Sequence, residues 1–306
     1  AFRLPEGVQA DSQQKRKKYY TRQILAKTLV GLMSLSRLEN AEVSNRRVLL
    51  RSDFSAAVDA SGNVADPALF GFLKPSVELL RNRGARIVIL AHSGTTPNSA
   101  PSFEQLPATL SESLGVDAAI EFAADPAAAA ASSAPIVLLE ILLRFPGEAS
   151  GDAAFAAELA KAGDLFVNDS VGACRHEYAS VIELPKLLPA SAGLHLYKEQ
   201  ESLNALLNRD NKPLVLILGG VRLEEKLKLS LRLMEKIDSI LVGGGLAYTF
   251  LKSRALPVGS SFVEKELEVP AFQMIEKAEL SESEFLLPLD LVAAEQFSKD
   301  SKTKSV

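Results

Sequence analysis

Arg47-Val48-Leu49-Leu50-Arg51-Ser52-Asp53-Phe54-Ser55 runs from a short apolar stretch straight into two charged side chains and two hydroxyls. An apolar run this short, rich in branched side chains, predicts a strand buried on both faces. Polar residues directly after it fall at the carboxyl end of that strand, where open α/β sheets bind ligands. Taken alone the motif is weak, because a structural salt bridge would explain Asp53 equally well.

Outward from this stretch the same grammar repeats. Apolar runs at Arg86–Leu90, Ile136–Leu139, Leu165–Val167, Leu214–Leu218, Ile240–Val242 and Phe285–Leu287 read as further strands. Helical spacing at Leu73–Arg83, Phe155–Ala162, Glu225–Lys236 and Tyr248–Arg254 separates them. Alternation of this kind predicts an α/β protein with parallel, doubly wound sheets. The tract Ala123–Pro135, nearly all alanine and serine, reads as a surface insertion or an extra helical turn without chemistry.

With 306 residues, 47% of them hydrophobic, the chain is long enough for two cores. Pro185 and Pro189 interrupt the pattern, and Tyr197–Leu207 then reads as a long helix joining two halves. The expected division is an extension over 1–44, a first domain over 45–190 and a second over 191–306. The second reads as incomplete, since the polar residues Ser298–Val306 end it without a closing element.

A net charge of −4 gives no general case for nucleic-acid binding, and the single cysteine, Cys174, excludes an internal disulfide framework. No apolar run reaches the roughly 18–20 residues that cross a bilayer, so a soluble or peripheral protein is expected. The extension carries Lys15-Arg16-Lys17-Lys18, then Tyr20, Ile24, Leu29, Leu32 and Met33 at near-helical spacing. Such a segment docks on a partner or an acidic surface, or packs on its own domain with solvated lysines. Together with a first residue that is not Met, it is compatible with a processed organellar protein or with an incomplete chain, and a cytoplasmic protein is the alternative.

Polar residues recur at equivalent strand ends: His92-Ser93-Gly94, and Asn168-Asp169-Ser170-Val171-Gly172. Their order resembles the phosphoglycerate kinase family. Arg51–Ala57 is similar to that family's R-x-D-F-N-x-P, Ala91–Thr96 to S-H-L-G-R-P, Leu139–Phe145 to L-E-N-L-R-F, and Asn168–Tyr178 to N-D-A-F-G-T-A-H-R-A-H. In the second half Gly219–Lys226 resembles G-G-A-K-V-S-D-K, Gly243–Phe250 resembles G-G-G-M-A-x-T-F, and Leu287–Phe297 resembles L-P-V-D-x-V-x-A-D-x-F. The likeness covers roughly residues 36–306. It implies two Rossmann-like three-layer domains, the first holding a phosphoglycerate and the second a nucleotide, between which phosphate moves.

By this resemblance the substrate positions fall on Arg51, Asp53, Ser55, His92, Arg144, Arg175 and His176. The nucleotide positions fall on Gly219, Gly220, Arg222, Lys226, Gly243, Gly244 and Gly245. Several residues depart from the pattern. Leu69 and Thr95 stand where the family has arginines, Ser55 where it has asparagine, and Glu177 adds a carboxylate. Arg144 fits its motif only if one residue near Ile141–Leu142 is inserted. Arg222 replaces a lysine without its compact geometry, and Glu224 and Glu225 bring negative charge towards the expected phosphate path. The family's ribose segment, Gly-Gly-Gly-Asp phosphate loop and returning tail would follow Val306.

Removing an arginine that stabilises a transferring phosphoryl group costs on the order of 10³–10⁵ in rate. The expectation is therefore a catalytically inactive relative, a structural or accessory subunit of a larger complex, held through its extension and the edge of its second domain. No cofactor and no metal are expected on that reading, and nucleic acid is not a partner. The family has plastid members, so the resemblance favours a plastid over a mitochondrion. Two alternatives remain: an active phosphoglycerate kinase using Mg-ATP/ADP, or a non-catalytic sensor of a nucleotide or phosphorylated metabolite.

Overall fold

A computed structural model describes residues 36–59, 61–94, 102–207, 212–296 and 298–306. Thr95 and the basic segment Lys15–Lys18 with its apolar stripe lie outside the described residues, as does the whole stretch 1–35 of the extension. The chain divides into two compact units, Ala1–Glu201 and Ser202–Val306. The division falls inside the helix Leu194–Leu207.

In the first unit six strands form one sheet: β1 (Arg47–Asp53), β2 (Arg86–His92), β3 (Ile120–Ala123), β4 (Ile136–Leu139), β5 (Leu165–Asn168) and β6 (Ala190–Ala192). All pair in parallel, in the order β3-β4-β2-β1-β5-β6. Side chains alternate across the sheet with period two. Val48, Leu50, Ile87, Ile89 and Val167 enter one buried layer beneath the helices Lys74–Asn82 and Pro107–Leu114. Leu49, Val88, Leu90, Val137 and Phe166 enter the other, against the helix Ala153–Ala160. A sheet buried on both faces explains why its central strands read as unbroken apolar runs.

Aspartates start several helices. Asp125 accepts from the Ala128 N–H (2.7 Å) at the head of Pro126–Ala131, and Asp152 accepts from the Ala154 N–H (2.8 Å) at the head of Ala153–Ala160. Of the two readings of the alanine tract, the helical turn holds and the surface insertion does not. Its helix connects β3 to β4, Ala129 is buried in the core, and the Arg47 guanidinium donates to the carbonyl of Ala130 (2.6 Å).

The second unit holds a parallel sheet of β7 (Val215–Leu218), β8 (Ser239–Val242) and β9 (Glu284–Leu286). Leu218, Ile240 and Val242 pack with Leu227, Leu246, Phe250 and Met274 of the helices Leu223–Leu233, Gly244–Ser253 and Glu268–Leu280. Val215, Ile217, Leu241 and Leu286, of opposite parity, are exposed. The final residues do form an element: β10 (Val292–Ala294) and β11 (Thr303–Ser305) make an antiparallel pair. Among the described residues no helix is long and apolar enough to cross a membrane.

Candidate active site

The strand order places the switch of direction at β1, whose neighbours β2 and β5 lead to opposite edges of the sheet. Ligands bind at such a point, beyond the carboxyl ends of the strands. Register does the gathering, since Asp53 pairs with His92 and Arg51 with Asn168. The loop after β5 closes on the same spot. A Cβ at Gly172 would overlap Asp53 Oδ2, so a larger residue there would displace the Asp53 carboxylate.

Arg51 is fully buried at 0% exposure. The resemblance expects it among the substrate-holding residues, but its side chain points inward. Its Nε donates to Ser180 Oγ (3.0 Å), its Nη1 donates to the Ser52 carbonyl and lies 2.9 Å from His92 Nδ1, and its Nη2 lies 3.7 Å from Glu148 Oε1. Arg51 therefore supports the site from beneath. His92 Nε2 faces Asp53 Oδ1 at 3.6 Å, and Asp53 keeps 29% of its side chain exposed. Ser55, exposed, donates its N–H to Asp53 Oδ1 (2.9 Å).

Electrostatics follow from this packing. Burial, then the Arg51 charge, lower the His92 pKa to about 4 against the pull of Asp53, so the ring is neutral near pH 7. Burial alone would raise Asp53, but His92, the Ser55 hydroxyl and N–H, and Arg51 together hold it below the usual carboxylate value. Tyr178 sits against the His92 ring (5.7 Å, edge-on) and stacks on His176 (4.7 Å). Arg175, exposed, donates to His176 Nε2 (3.3 Å). These contacts link Arg175, His176, Tyr178, His92 and Asp53 in one chain from the surface inward.

Other expected positions stand elsewhere. Arg144 is engaged by Glu140 (3.1 Å), whose carboxylate also accepts from Ser102 Oγ (2.6 Å) and the N–H groups of Phe103 and Ile141. Leu69 is half-buried and packs on the first-unit core. Glu177 is exposed. Sequence reasoning passed over Glu148 and Ser180, which lie beneath the site. Ser180 has no motif around it, and the only pointer to Glu148 is that it follows Phe145 closely.

In the second unit the two glycine loops meet. Leu218 pairs with Val242, and the Gly243 N–H donates to the Leu218 carbonyl (2.8 Å). A Cβ at Gly244 would press on the Gly220 nitrogen, and one at Gly245 on its oxygen, each at 3.0 Å. Gly244 opens the helix Gly244–Ser253, whose N-terminus suits an anion. Arg222 is exposed and left-handed (φ 62°), and Lys226 Nζ donates to the Val221 carbonyl. Glu224 does not stand free before the loops, since Lys228 holds it at 2.6 Å one turn along the helix.

A family model described as Phosphoglycerate kinase matches residues 38–306. The chain belongs to the phosphoglycerate kinase family. A phosphoglycerate kinase of Leptospira biflexa is 37% identical over 282 residues, covering 90% of this chain and 71% of the relative. One from Caulobacter vibrioides is 36% identical, covering 89% and 70%. Among solved structures, phosphoglycerate kinase from Coxiella burnetii superposes with a TM-score of 0.77 at 27% identity, covering 89% and 70%. That from Pyrococcus horikoshii has a TM-score of 0.76 at 22% identity, which speaks for the fold.

These relatives correct the functional expectation of an inactive subunit. Proteins called phosphoglycerate kinase match the chain at 37% and 35% identity over 90% of its length, and nothing among them marks inactivity or a subunit role. Substituted letters counted one at a time mislead at these positions. They leave out the pairing of Glu224 with Lys228 and the buried support under His92.

Proposed function

We propose that the chain is a phosphoglycerate kinase, moving a phosphoryl group between a Mg-nucleotide and 3-phosphoglycerate. The observation that carries this reading is the 37% identity over 282 residues to a phosphoglycerate kinase, a match that takes in the motif-bearing ends of both units. Phosphoryl transfer asks little covalent chemistry of a protein. It asks for positioned groups that hold the reactants and offset charge on the equatorial oxygens.

The residues present divide that work by unit. In the first, neutral His92 and the exposed edge of Asp53 hold the phosphoglycerate, and Arg175 brings positive charge to the same chain of contacts. Leu69 supplies none, so charge neutralisation there falls to Arg175. In the second, the backbone of Gly219, Gly220, Gly244 and Gly245 takes the nucleotide phosphates, with Gly243 joining the two loops and Arg222 and Lys226 beside them. The magnesium enters as part of the nucleotide substrate.

A coupled assay of the native protein with 3-phosphoglycerate and Mg-ATP tests the proposal. We expect turnover within about a hundredfold of an ordinary kinase at 1–100 s⁻¹. No turnover in either direction, from a protein that melts cooperatively, would remove it.

A further inference from the structure

Glu148 and Ser180 have no place in the chemistry above, yet both are completely buried. A buried carboxylate needs partners for its oxygens, and those of Glu148 are specific. Ser180 donates its hydroxyl to Glu148 Oε1 (2.5 Å) and its N–H to Oε2 (2.9 Å). The single hydroxyl proton is thereby committed, so the oxygen lone pairs turn to Arg51, whose Nε donates to them at 3.0 Å. Glu148 Oε1 also lies 3.7 Å from Arg51 Nη2. The guanidinium is thus held from one side by a carboxylate and its hydroxyl relay.

On its other side Arg51 Nη1 lies 2.9 Å from His92 Nδ1. A guanidinium can only donate, so Nδ1 must be the acceptor and the ring proton must sit on Nε2. Nε2 is the nitrogen that faces Asp53 Oδ1, towards the exposed end of β1. The ring is otherwise surrounded by Tyr178, edge-on, and by the charges or dipoles of Asp53, His176 and the Ser52 backbone.

We propose that Glu148 is a positioning residue: through Ser180 and Arg51 it fixes the His92 ring with Nδ1 as acceptor and a proton on Nε2. His92 then offers a hydrogen-bond donor at the substrate end of the sheet, beside the carboxylate of Asp53. The consequence for substrate rests on the kinase reading, while the relay itself does not. Without the relay, Arg51 loses the acceptor that aims it, and the ring becomes free to place its proton on Nδ1. The Ser52 carbonyl, which also accepts from Arg51 Nη1, is then an acceptor for that proton.

The test is a long-range proton–nitrogen correlation spectrum of ¹⁵N-histidine protein, recorded with steady-state kinetics for Glu148→Gln and Ser180→Ala. We expect the unsubstituted protein to show His92 protonated on Nε2 alone. Both variants should gain the Nδ1-protonated form and raise KM for 3-phosphoglycerate about tenfold, the worth of one hydrogen bond to a charged group, with KM for Mg-ATP unchanged. Should Glu148→Gln fail to fold, Ser180→Ala leaves both charges in place and carries the test. An unchanged His92 spectrum in the variants, or an Nδ1 proton in the unsubstituted protein, overturns the proposal. A tautomer change in a protein without turnover would support the relay and remove the kinase reading instead.

Discussion

His92 ties the chemistry of the site to the stability of the fold. Its folded pKa of about 4 lies below the unfolded value near 6.5, so the native state binds fewer protons between those values. Stability is then complete above about pH 6.5 and falls as pH drops towards 4, by at most about 3 kcal/mol from this group. Asp53, also held low, acts in the same sense further down the scale. Urea midpoints measured near neutral pH and in mild acid check this, and His92→Gln should flatten the fall. A midpoint that rises in mild acid would contradict the burial of a neutral His92 beside Arg51. Arg51 makes a second, sharper case. Arg51→Met strands Glu148 as a buried carboxylate and should cost about 3–5 kcal/mol, whereas Arg51→Met with Glu148→Gln should recover part of that loss. Additive losses in the double variant would mean the two side chains are not coupled.

Asp169 works between elements. It follows β5, and its Oδ1 accepts from the N–H groups of His195 (2.9 Å) and Leu196 (3.0 Å), capping the helix Leu194–Leu207. Gly193 makes this possible, since a Cβ there would overlap the Asp169 carboxyl group. Burial pushes the Asp169 pKa up against its contacts with Ser76, Leu196 and His195, so its charge is a cost that is relieved as pH falls, opposite in sign to His92. Asp169→Asn keeps an acceptor and sheds the charge, so its thermal midpoint should stay close to that of the unsubstituted protein. Asp169→Ala should lose about 1–2 kcal/mol with the cap, and Gly193→Ala about 1–3 kcal/mol through overpacking. Equal midpoints for the Asn and Ala variants would show that the cap contributes nothing. At this scale the sequence was partly legible. Strands β1, β2, β4 and β5 announced themselves because burial on both faces demands continuous apolar runs. The edge strand β3 carries an exposed Glu121, and β6 is only Ala190-Ser191-Ala192, so neither shows that signature. Asp53 and His92 were legible because they end strands. Glu148 and Ser180 were not, because their contact is made 32 residues apart through a fold that no local pattern encodes.

Among the described residues, each unit has buried apolar packing of its own. The first unit buries both faces of a six-stranded sheet, while the second buries one face of three strands and leaves Val215, Ile217 (74% exposed), Leu241 and Leu286 open. None of the residues in the second-unit core belongs to the cores of the first. Apolar area removed from water is the main source of stability, so the unit with less of it should unfold at the lower temperature. Calorimetry of the chain should therefore show two transitions, the lower one assigned to Ser202–Val306. Ligands sharpen the expectation, because a molecule that binds one folded unit stabilises that unit by RT ln(1 + [L]/Kd), about 2.7 kcal/mol at a hundredfold excess over Kd. On the kinase reading, Mg-ADP should raise the lower transition and leave the upper in place, and 3-phosphoglycerate should do the reverse. Ile217→Thr, which changes only the open face, should alter neither shift. A single transition, moved equally by either ligand, would mean that the two cores melt as one unit and that the division at Glu201 carries no thermodynamic weight.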